Sequence, residues 1–241
     1  AYAHVPPKGD ALEGELKGLA DDWAFMAGAA PSAWAERLRR DCVDVLIDLN
    51  GLTMGNLLPA FSRRMAAVQL TYLGYPNTTG VAAIDERLVD AVTDPAGAEE
   101  WCVERLRRIE GCFVCYSPPA AAPEPGLDAG PVTFACFNAV QKISPTTLGL
   151  WSRVLSRSPG SRLMLKNRAF AREDGRADMA QRFAAAGIDP ARVDLLGWTD
   201  STASHLALYR KATVALDTFP YHGTTTTCEA LFMGVPVVTL E

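Results

Sequence analysis

The chain has 241 residues, 49% of them hydrophobic and 21% charged, which is typical of a globular protein with one large domain or two small ones. Its formal net charge of −5 argues against general binding to nucleic acids or to anionic membrane surfaces. No apolar run reaches the about 20 residues that a membrane-spanning helix needs, and the six cysteines lie mostly in apolar patterns that fit reduced, buried thiols in a cytoplasmic protein.

The first 116 residues predict an incomplete N-terminal α/β lobe. Helices are predicted at 11–28, 31–40, 55–64 and 97–104, and strands at 43–49, 67–73, 87–92 and 106–109. Small polar loops at 50–55 and 74–80 follow two of the strands, at the edge where ligands gather in open α/β sheets. We expect the glycines of the second loop to let a substrate approach the backbone closely.

Residues 117–131 are rich in Pro, Ala and Gly and predict a linker to a C-terminal lobe at 132–241. In this lobe, strands are predicted at 132–137, 162–166, 192–196, 213–217 and 237–240, and helices at 144–157, 171–186, 201–210 and from the threonine run onward. This alternation predicts a parallel, doubly wound sheet in each lobe, with the ligand in the cleft between the lobes. Because neither end carries the expected start or packing of an element, we interpret the sequence as a fragment truncated at both ends.

A run of four threonines, Thr224–Thr227, follows Gly223 between a strand and a helix. The first N–H groups of a helix lack intrahelical acceptors, and the helix dipole adds positive charge there, so this turn predicts a site for a phosphate or diphosphate. The alternative is a capping box between Thr226 and Glu229, which needs no ligand. Four hydroxyl residues exceed what capping requires, because β-branched residues are mediocre helix formers.

Several other polar residues are predicted at the same edge of the C-terminal sheet. Lys142 could neutralise a diphosphate leaving group, or could be a solvated loop lysine. His205 could stack on a base or be an exposed helix residue, and His222 could contact phosphate or only shape the turn. Glu229 could bind both hydroxyls of a ribose or serve the capping box. Asp217 could bond to the N–H groups of the turn or bind the ligand, and we favour the structural role in the turn.

The sequence offers no motif for a metal or a covalent nucleophile. It has no Asp-x-Asp motif to hold a divalent ion over a diphosphate, no Walker loop and no Gly-x-Ser-x-Gly elbow. Cys112 and Cys115 have redox or zinc spacing, but no second pair or histidine cluster accompanies them. We therefore expect a nucleotide-sugar transferase that needs no metal or other cofactor.

Four blocks of sequence in order, 48–53, 73–80, 137–143 and 216–229, carry a family resemblance. Through them the chain resembles the catalytic region of the O-GlcNAc transferase and SPINDLY family of protein O-glycosyltransferases. The resemblance implies a GT-B fold of two Rossmann-like lobes, inverting transfer of a sugar to Ser or Thr of proteins, and tetratricopeptide repeats in the same full-length chain. We favour UDP-GlcNAc as the donor. The alternatives are a GDP-fucose protein O-fucosyltransferase and a non-catalytic nucleotide-sugar-binding homologue.

The resemblance also implies roles for individual residues: Lys142 at the diphosphate as the catalytic residue, Glu229 at the ribose and His205 beside the base. Leu73 and Gly74 correspond to the loop that lies near the transferred sugar in the family. The predicted substrate-binding residues are Leu73, Gly74, Pro76, Asn138, Gln141, Lys142, His205, His222, Gly223, Thr224, Thr225, Thr226, Thr227 and Glu229.

Overall fold

A computed structural model describes residues 1–7 and 9–240 and divides the chain into two compact units. The first unit is Ala1–Cys115 and the second is Tyr116–Glu241. Each contains one main parallel β-sheet flanked by helices, which confirms the predicted α/β class. The Pro-rich segment 117–131 groups with the second unit, where the N–H of Asp128 donates to the C=O of Arg210 at 2.7 Å.

The first unit contains a four-stranded sheet in the order β3-β4-β5-β6 and a two-stranded sheet β1-β2, both parallel. Its strands are β1 (Tyr2–Ala3), β2 (Ala24–Phe25), β3 (Val45–Asp48), β4 (Val68–Thr71), β5 (Glu86–Val89) and β6 (Arg105–Arg108). Its helices are α1 (Ala11–Gly18), α2 (Pro31–Arg40) and α3 (Leu58–Phe61), with a 3₁₀ turn at Ala98–Trp101. Buried Leu38, Leu46 and Phe61 form a core between the helices and one sheet face.

Helix α2 confirms its prediction, with Pro31 at the first helical position. The helix predicted for 11–28 is wrong beyond Gly18, because the chain turns into β2 and pairs with β1 instead. The helix predicted for 55–64 shortens to α3, since Gly55 has a φ of 78° that no α-helix contains. The one predicted for 97–104 is only the 3₁₀ turn, which ends where Cys102 becomes extended.

The second unit contains a five-stranded parallel sheet in the order β11-β10-β7-β8-β9. Its strands are β7 (Thr133–Cys136), β8 (Arg162–Lys166), β9 (Val193–Leu196), β10 (Val214–Leu216) and β11 (Val237–Val238). Its helices are α4 (Pro145–Arg157), α5 (Glu173–Ala185), α6 (Thr202–Ala207) and α7 (Thr225–Phe232), with 3₁₀ turns at Val140–Lys142, Arg168–Ala171, Pro190–Arg192 and Leu208–Lys211.

Helices cover both faces of this sheet. Buried Trp151, Leu163 and Phe183 form the core on one side, and Tyr209 and Met233 belong to the core on the other. Helix α4 starts as predicted, with the Ser144 hydroxyl accepting a hydrogen bond from the N–H of Thr147. Because all five strands are parallel, the loops after β7, β8, β9 and β10 gather at one edge, which is where the predicted site residues of this unit lie.

Among residues 1–7 and 9–240, no helix has both the length and the apolar character required to cross a membrane. The six cysteines are free thiols, but the prediction that they are mostly buried is wrong. Only Cys136 is buried, while Cys42, Cys112 and Cys115 are exposed. Their apolar sequence neighbours belong to turns and loops in these cases, so local hydrophobicity did not indicate burial.

Candidate functional site

The turn between β10 and α7 is held by the carboxylate of Asp217. Its Oδ1 accepts hydrogen bonds from the N–H groups of Thr218 and Gly223, both at 2.8 Å, and from Nδ2 of Asn138 at 2.9 Å. A side chain at Gly223 would bring a Cβ atom within 2.6 Å of both Asn138 Oδ1 and Thr226 Oγ1. The turn therefore requires glycine at this position, and Asp217 has the structural role expected for it.

The N terminus of α7 follows this turn and has no side-chain cap. Thr224 is the N-cap residue, and its side chain makes no capping hydrogen bond. The hydroxyl of Thr226 donates to Asn138 Oδ1, and that of Thr227 donates to the C=O of Gly223 at 3.2 Å. The first N–H groups of α7 thus have no hydroxyl or carboxylate of the described residues as a cap, and they leave the positive end of the helix available to an anion.

The alternative interpretation, a capping box between Thr226 and Glu229, is wrong, because Thr224 is the N-cap residue. Glu229 Oε2 lies 3.0 Å from His205 Nε2 and accepts a hydrogen bond from the Tyr209 hydroxyl at 3.3 Å. These partners come from the preceding helical segment, 24 and 20 residues earlier in the chain, and they draw the carboxylate away from the Thr226 backbone. Sequence spacing alone cannot reveal a competing partner of this kind.

Lys142 lies against the same turn, as its position after β7 predicted. Its Nζ donates to the C=O of His222 at 2.6 Å and lies 3.8 Å from the centre of the Tyr221 ring. Burial lowers the pKa of the Lys142 ammonium, and the nearby Asp217 carboxylate opposes that shift. The turn therefore fixes a half-buried cation beside the uncapped start of α7.

Asn138 and Gln141 flank Lys142 in sequence but differ in environment. The Asn138 amide is used within the protein: Nδ2 donates to Asp217 and Thr218, and Oδ1 accepts from Thr226. It therefore ties the loop after β7 to the turn after β10. Gln141 is exposed on the same 3₁₀ turn as Lys142.

His222 is held by the other side of the turn. Its Nδ1 lies 3.1 Å from the Thr239 hydroxyl and 3.3 Å from Asp217 Oδ2, and its backbone oxygen receives the Lys142 bond. Of the two predicted roles, shaping the turn is the one these contacts describe.

Tyr209 joins His205 and Glu229 in a hydrogen-bonded group that sequence analysis missed. Its hydroxyl also donates to the C=O of Thr226 at 3.1 Å, and Phe137 packs on both the His205 and the Tyr209 rings. Burial raises the pKa of Tyr209 far above its usual range, so the phenol stays protonated and acts as a donor. The sequence feature that could have indicated this group is the i, i+4 spacing of His205 and Tyr209, which places both on one helical face.

An open pocket of about 510 Å³ lies beside this group and is lined by His205, Glu229 and Thr225. Its lining also includes Lys166, at the end of β8, and Trp198, after β9. The sequence predicted neither, because no motif marks them, although each follows a strand at the same sheet edge.

In the first unit, the predicted loop residues Leu73, Gly74 and Pro76 follow β4. Leu73 has a φ of 65°, and the N–H of Gly74 donates to the C=O of Tyr72 at 2.8 Å, which closes a tight three-residue turn. A branched-chain residue at positive φ is uncommon, and such strain often occurs at functional sites.

The space that a side chain would take at Gly74 is filled by the backbone of Leu49 and Asn50. The close approach of these two backbone segments therefore requires glycine at position 74. The role of Leu73, Gly74 and Pro76 toward a transferred sugar stays a prediction. In the described part of the chain, no three or more His, Cys, Asp and Glu side chains cluster in a way that could hold a metal ion.

Comparison with known proteins gives the class to which this fold and site belong. Residues 26–116 and 121–241 match the family described as glycosyl transferase family 41, and the chain belongs to this family. It is 42% identical over 222 residues to the Solanum lycopersicum protein named probable UDP-N-acetylglucosamine–peptide N-acetylglucosaminyltransferase SPINDLY, and 40% identical to the Arabidopsis thaliana protein of that name. Each match covers 90% of this chain but only 24% of the relative, so the chain spans about a quarter of their length.

A solved structure gives a more particular likeness. The structure of a mutant O-GlcNAc transferase from Thermobaculum terrenum superposes with a TM-score of 0.91 at 37% identity, covering 99% of this chain and 45% of that one. The lipopolysaccharide outer core galactosyltransferase WaaB shares the fold alone, with a TM-score of 0.54 at 14% identity over 90% of this chain and 64% of that one. The prediction of Rossmann-like lobes of the GT-B type is confirmed.

Proposed function

We propose that this chain carries the donor-binding and catalytic part of a metal-independent, inverting glycosyltransferase that transfers GlcNAc from UDP-GlcNAc to Ser or Thr of proteins. The observation that carries the proposal is the Lys142 ammonium fixed beside the uncapped N terminus of α7. The proposal extends to tetratricopeptide repeats in the full-length chain and to a cytoplasmic location. The printed names of the relatives, peptide N-acetylglucosaminyltransferase and O-GlcNAc transferase, support the reaction.

The donor's diphosphate would bind at the start of α7. Free N–H groups and the positive end of the helix dipole favour an anion there, and Lys142 adds a full charge. The ribose would lie over Glu229, whose Oε1 makes no hydrogen bond with any described residue and can accept from the sugar hydroxyls. His205, in the wall of the adjacent pocket, would face the base.

In the proposed reaction, the hydroxyl oxygen of a Ser or Thr attacks the anomeric carbon on the face opposite UDP, and its proton is released to the surrounding water. The bond from that carbon to the β-phosphate oxygen breaks, and UDP leaves with an additional negative charge. Groups already in position for this charge stabilise the transition state more than the ground state. Lys142 and the N–H groups of α7 supply such positive charge from the protein itself, which supports metal independence.

A transfer assay tests this proposal. The protein is incubated with Ser- and Thr-containing acceptor polypeptides and with UDP-GlcNAc or GDP-fucose, in EDTA, and products are identified by mass spectrometry. We expect one N-acetylhexosamine on Ser or Thr, lost in Lys142→Met and kept in Lys211→Met, a change at an exposed lysine of the same unit. A deoxyhexose from GDP-fucose instead would refute the donor. No transfer from either donor would refute the catalytic role and leave a binding homologue.

A further inference from the structure

Lys166 is the last residue of β8, and only 8% of its surface is exposed. It lines the 510 Å³ pocket together with His205 and Glu229. Its ammonium has neither an ion-pair nor a hydrogen-bond partner within the described residues 1–7 and 9–240. Lysine is rarely enclosed to this degree without a charged partner. The Nζ atom itself keeps solvent contact, so the ammonium faces the open pocket while the methylene chain is buried.

The contact that Lys166 does make is with an aromatic ring on the pocket wall. Its Nζ lies 5.2 Å from the centre of the Trp198 ring, and Cζ of Arg168 lies 5.0 Å from the same ring. Both cations therefore share one indole, and that indole is 65% exposed. An exposed ring holds these cations only weakly, because solvent reduces the cation–π attraction.

The charges around Lys166 indicate which kind of ligand group the pocket can accept. Burial lowers the pKa of Lys166, and the Glu229 carboxylate, which lines the same pocket, opposes that shift. A group that enters this pocket beside His205 meets hydrogen-bond donors on the Lys166 side. The complementary ligand edge carries acceptors, such as a carbonyl oxygen.

We propose that Lys166 and Arg168, with Trp198, form the wall that recognises the donor's nucleobase, with the Lys166 ammonium donating a hydrogen bond to a base carbonyl oxygen. This inference rests on the proposed function, which supplies a nucleoside diphosphate sugar as the ligand. Uracil and guanine both present a ring carbonyl to such a donor, whereas adenine presents an amino group at the corresponding edge. The wall therefore discriminates against adenine nucleotides.

Calorimetric titration with UDP, GDP and ADP tests the wall. We expect the wild-type protein to bind UDP at least about tenfold more tightly than ADP, the discrimination of one well-placed base contact. Lys166→Met should weaken UDP about tenfold and leave ADP unchanged, so that the two become nearly equal. Lys166→Arg should restore part of the preference, and Lys211→Met, at an exposed lysine of the same unit, should change nothing. Tighter binding of GDP than of UDP would indicate that the base carbonyl recognised by Lys166 is that of guanine.

Two results would overturn the proposal that Lys166 recognises the base. One is equal weakening of UDP and ADP in Lys166→Met, which would indicate general electrostatics or altered packing. The other is UDP affinity that the substitution leaves unchanged in a protein whose circular dichroism and unfolding midpoint match the wild type. If the folded wild-type protein binds none of the three nucleotides, both the proposed function and the proposed base recognition are refuted.

Discussion

Tyr209→Phe removes one hydroxyl from the buried group that holds Glu229. The single hydroxyl proton is shared between two acceptors, the C=O of Thr226 at 3.1 Å and the Glu229 carboxylate at 3.3 Å. A neutral hydrogen bond contributes about 1 kcal/mol and one to a charged group about 1.5–3 kcal/mol, with the long 3.3 Å contact at the low end. One shared proton cannot make both bonds at full strength, and His205 still bonds Glu229 after the change, so we expect about 1.5 kcal/mol of lost stability.

The same substitution has a specific effect on the ligand. With Tyr209 no longer holding Oε2, the Glu229 carboxylate is less well oriented toward the ribose hydroxyls. Loss of about 1 kcal/mol of that interaction weakens UDP binding about fivefold. Binding of 2′,3′-dideoxy-UDP, which lacks the hydroxyls, should not change.

Denaturant unfolding and calorimetry with both nucleotides measure these effects. Tyr116→Phe is the matched control, since the Tyr116 hydroxyl has no hydrogen-bond partner among the residues described and its ring packs on Phe232. If Tyr209→Phe unfolds like the wild type and binds both nucleotides in the wild-type ratio, Tyr209 does not position Glu229.

Three further changes test other parts of the account. Gly223→Ala should cost about 1–3 kcal/mol in denaturant unfolding and weaken UDP binding, because the new methyl group overlaps the side chains that hold the turn. Asp94→Ala should cost about 3–5 kcal/mol, because it leaves the buried Arg87 guanidinium without its carboxylate, and milder Asp94→Asn should cost less. Hydrogen bonds from Arg64 lower the pKa of Asp85 to about 2. The contribution of Asp85 to the free energy of unfolding is therefore complete above the usual carboxyl pKa and is lost as the pH falls from about 4 to 2. Asp85→Asn should flatten that part of the profile of stability against pH.

Local sequence signals predicted those elements that local interactions determine. Helix α2 begins at Pro31, α4 begins after the Ser144 cap, and β8 occupies the predicted residues. The common edge of parallel strands also predicted that Lys142 meets the threonine turn, although 80 residues separate it from His222.

Contacts between distant segments account for the errors. The helix predicted to Gly28 ends early because the N–H of Ala24 pairs with the C=O of Ala1 in a two-stranded sheet. The capping box fails because Glu229 bonds to side chains from the preceding helical segment. No sequence motif marks Lys166, and only the fold brings it into the same pocket as His205.

The most direct test of the central claim is calorimetric titration of the protein with UDP in the presence of EDTA, repeated with Lys142→Ala. The account predicts one saturable site in the wild type and binding at least about tenfold weaker in the variant, since a charge-assisted hydrogen bond to phosphate contributes about 1.5–3 kcal/mol. Equal affinity in both proteins, or no binding by a wild-type protein shown to be folded, would contradict the account.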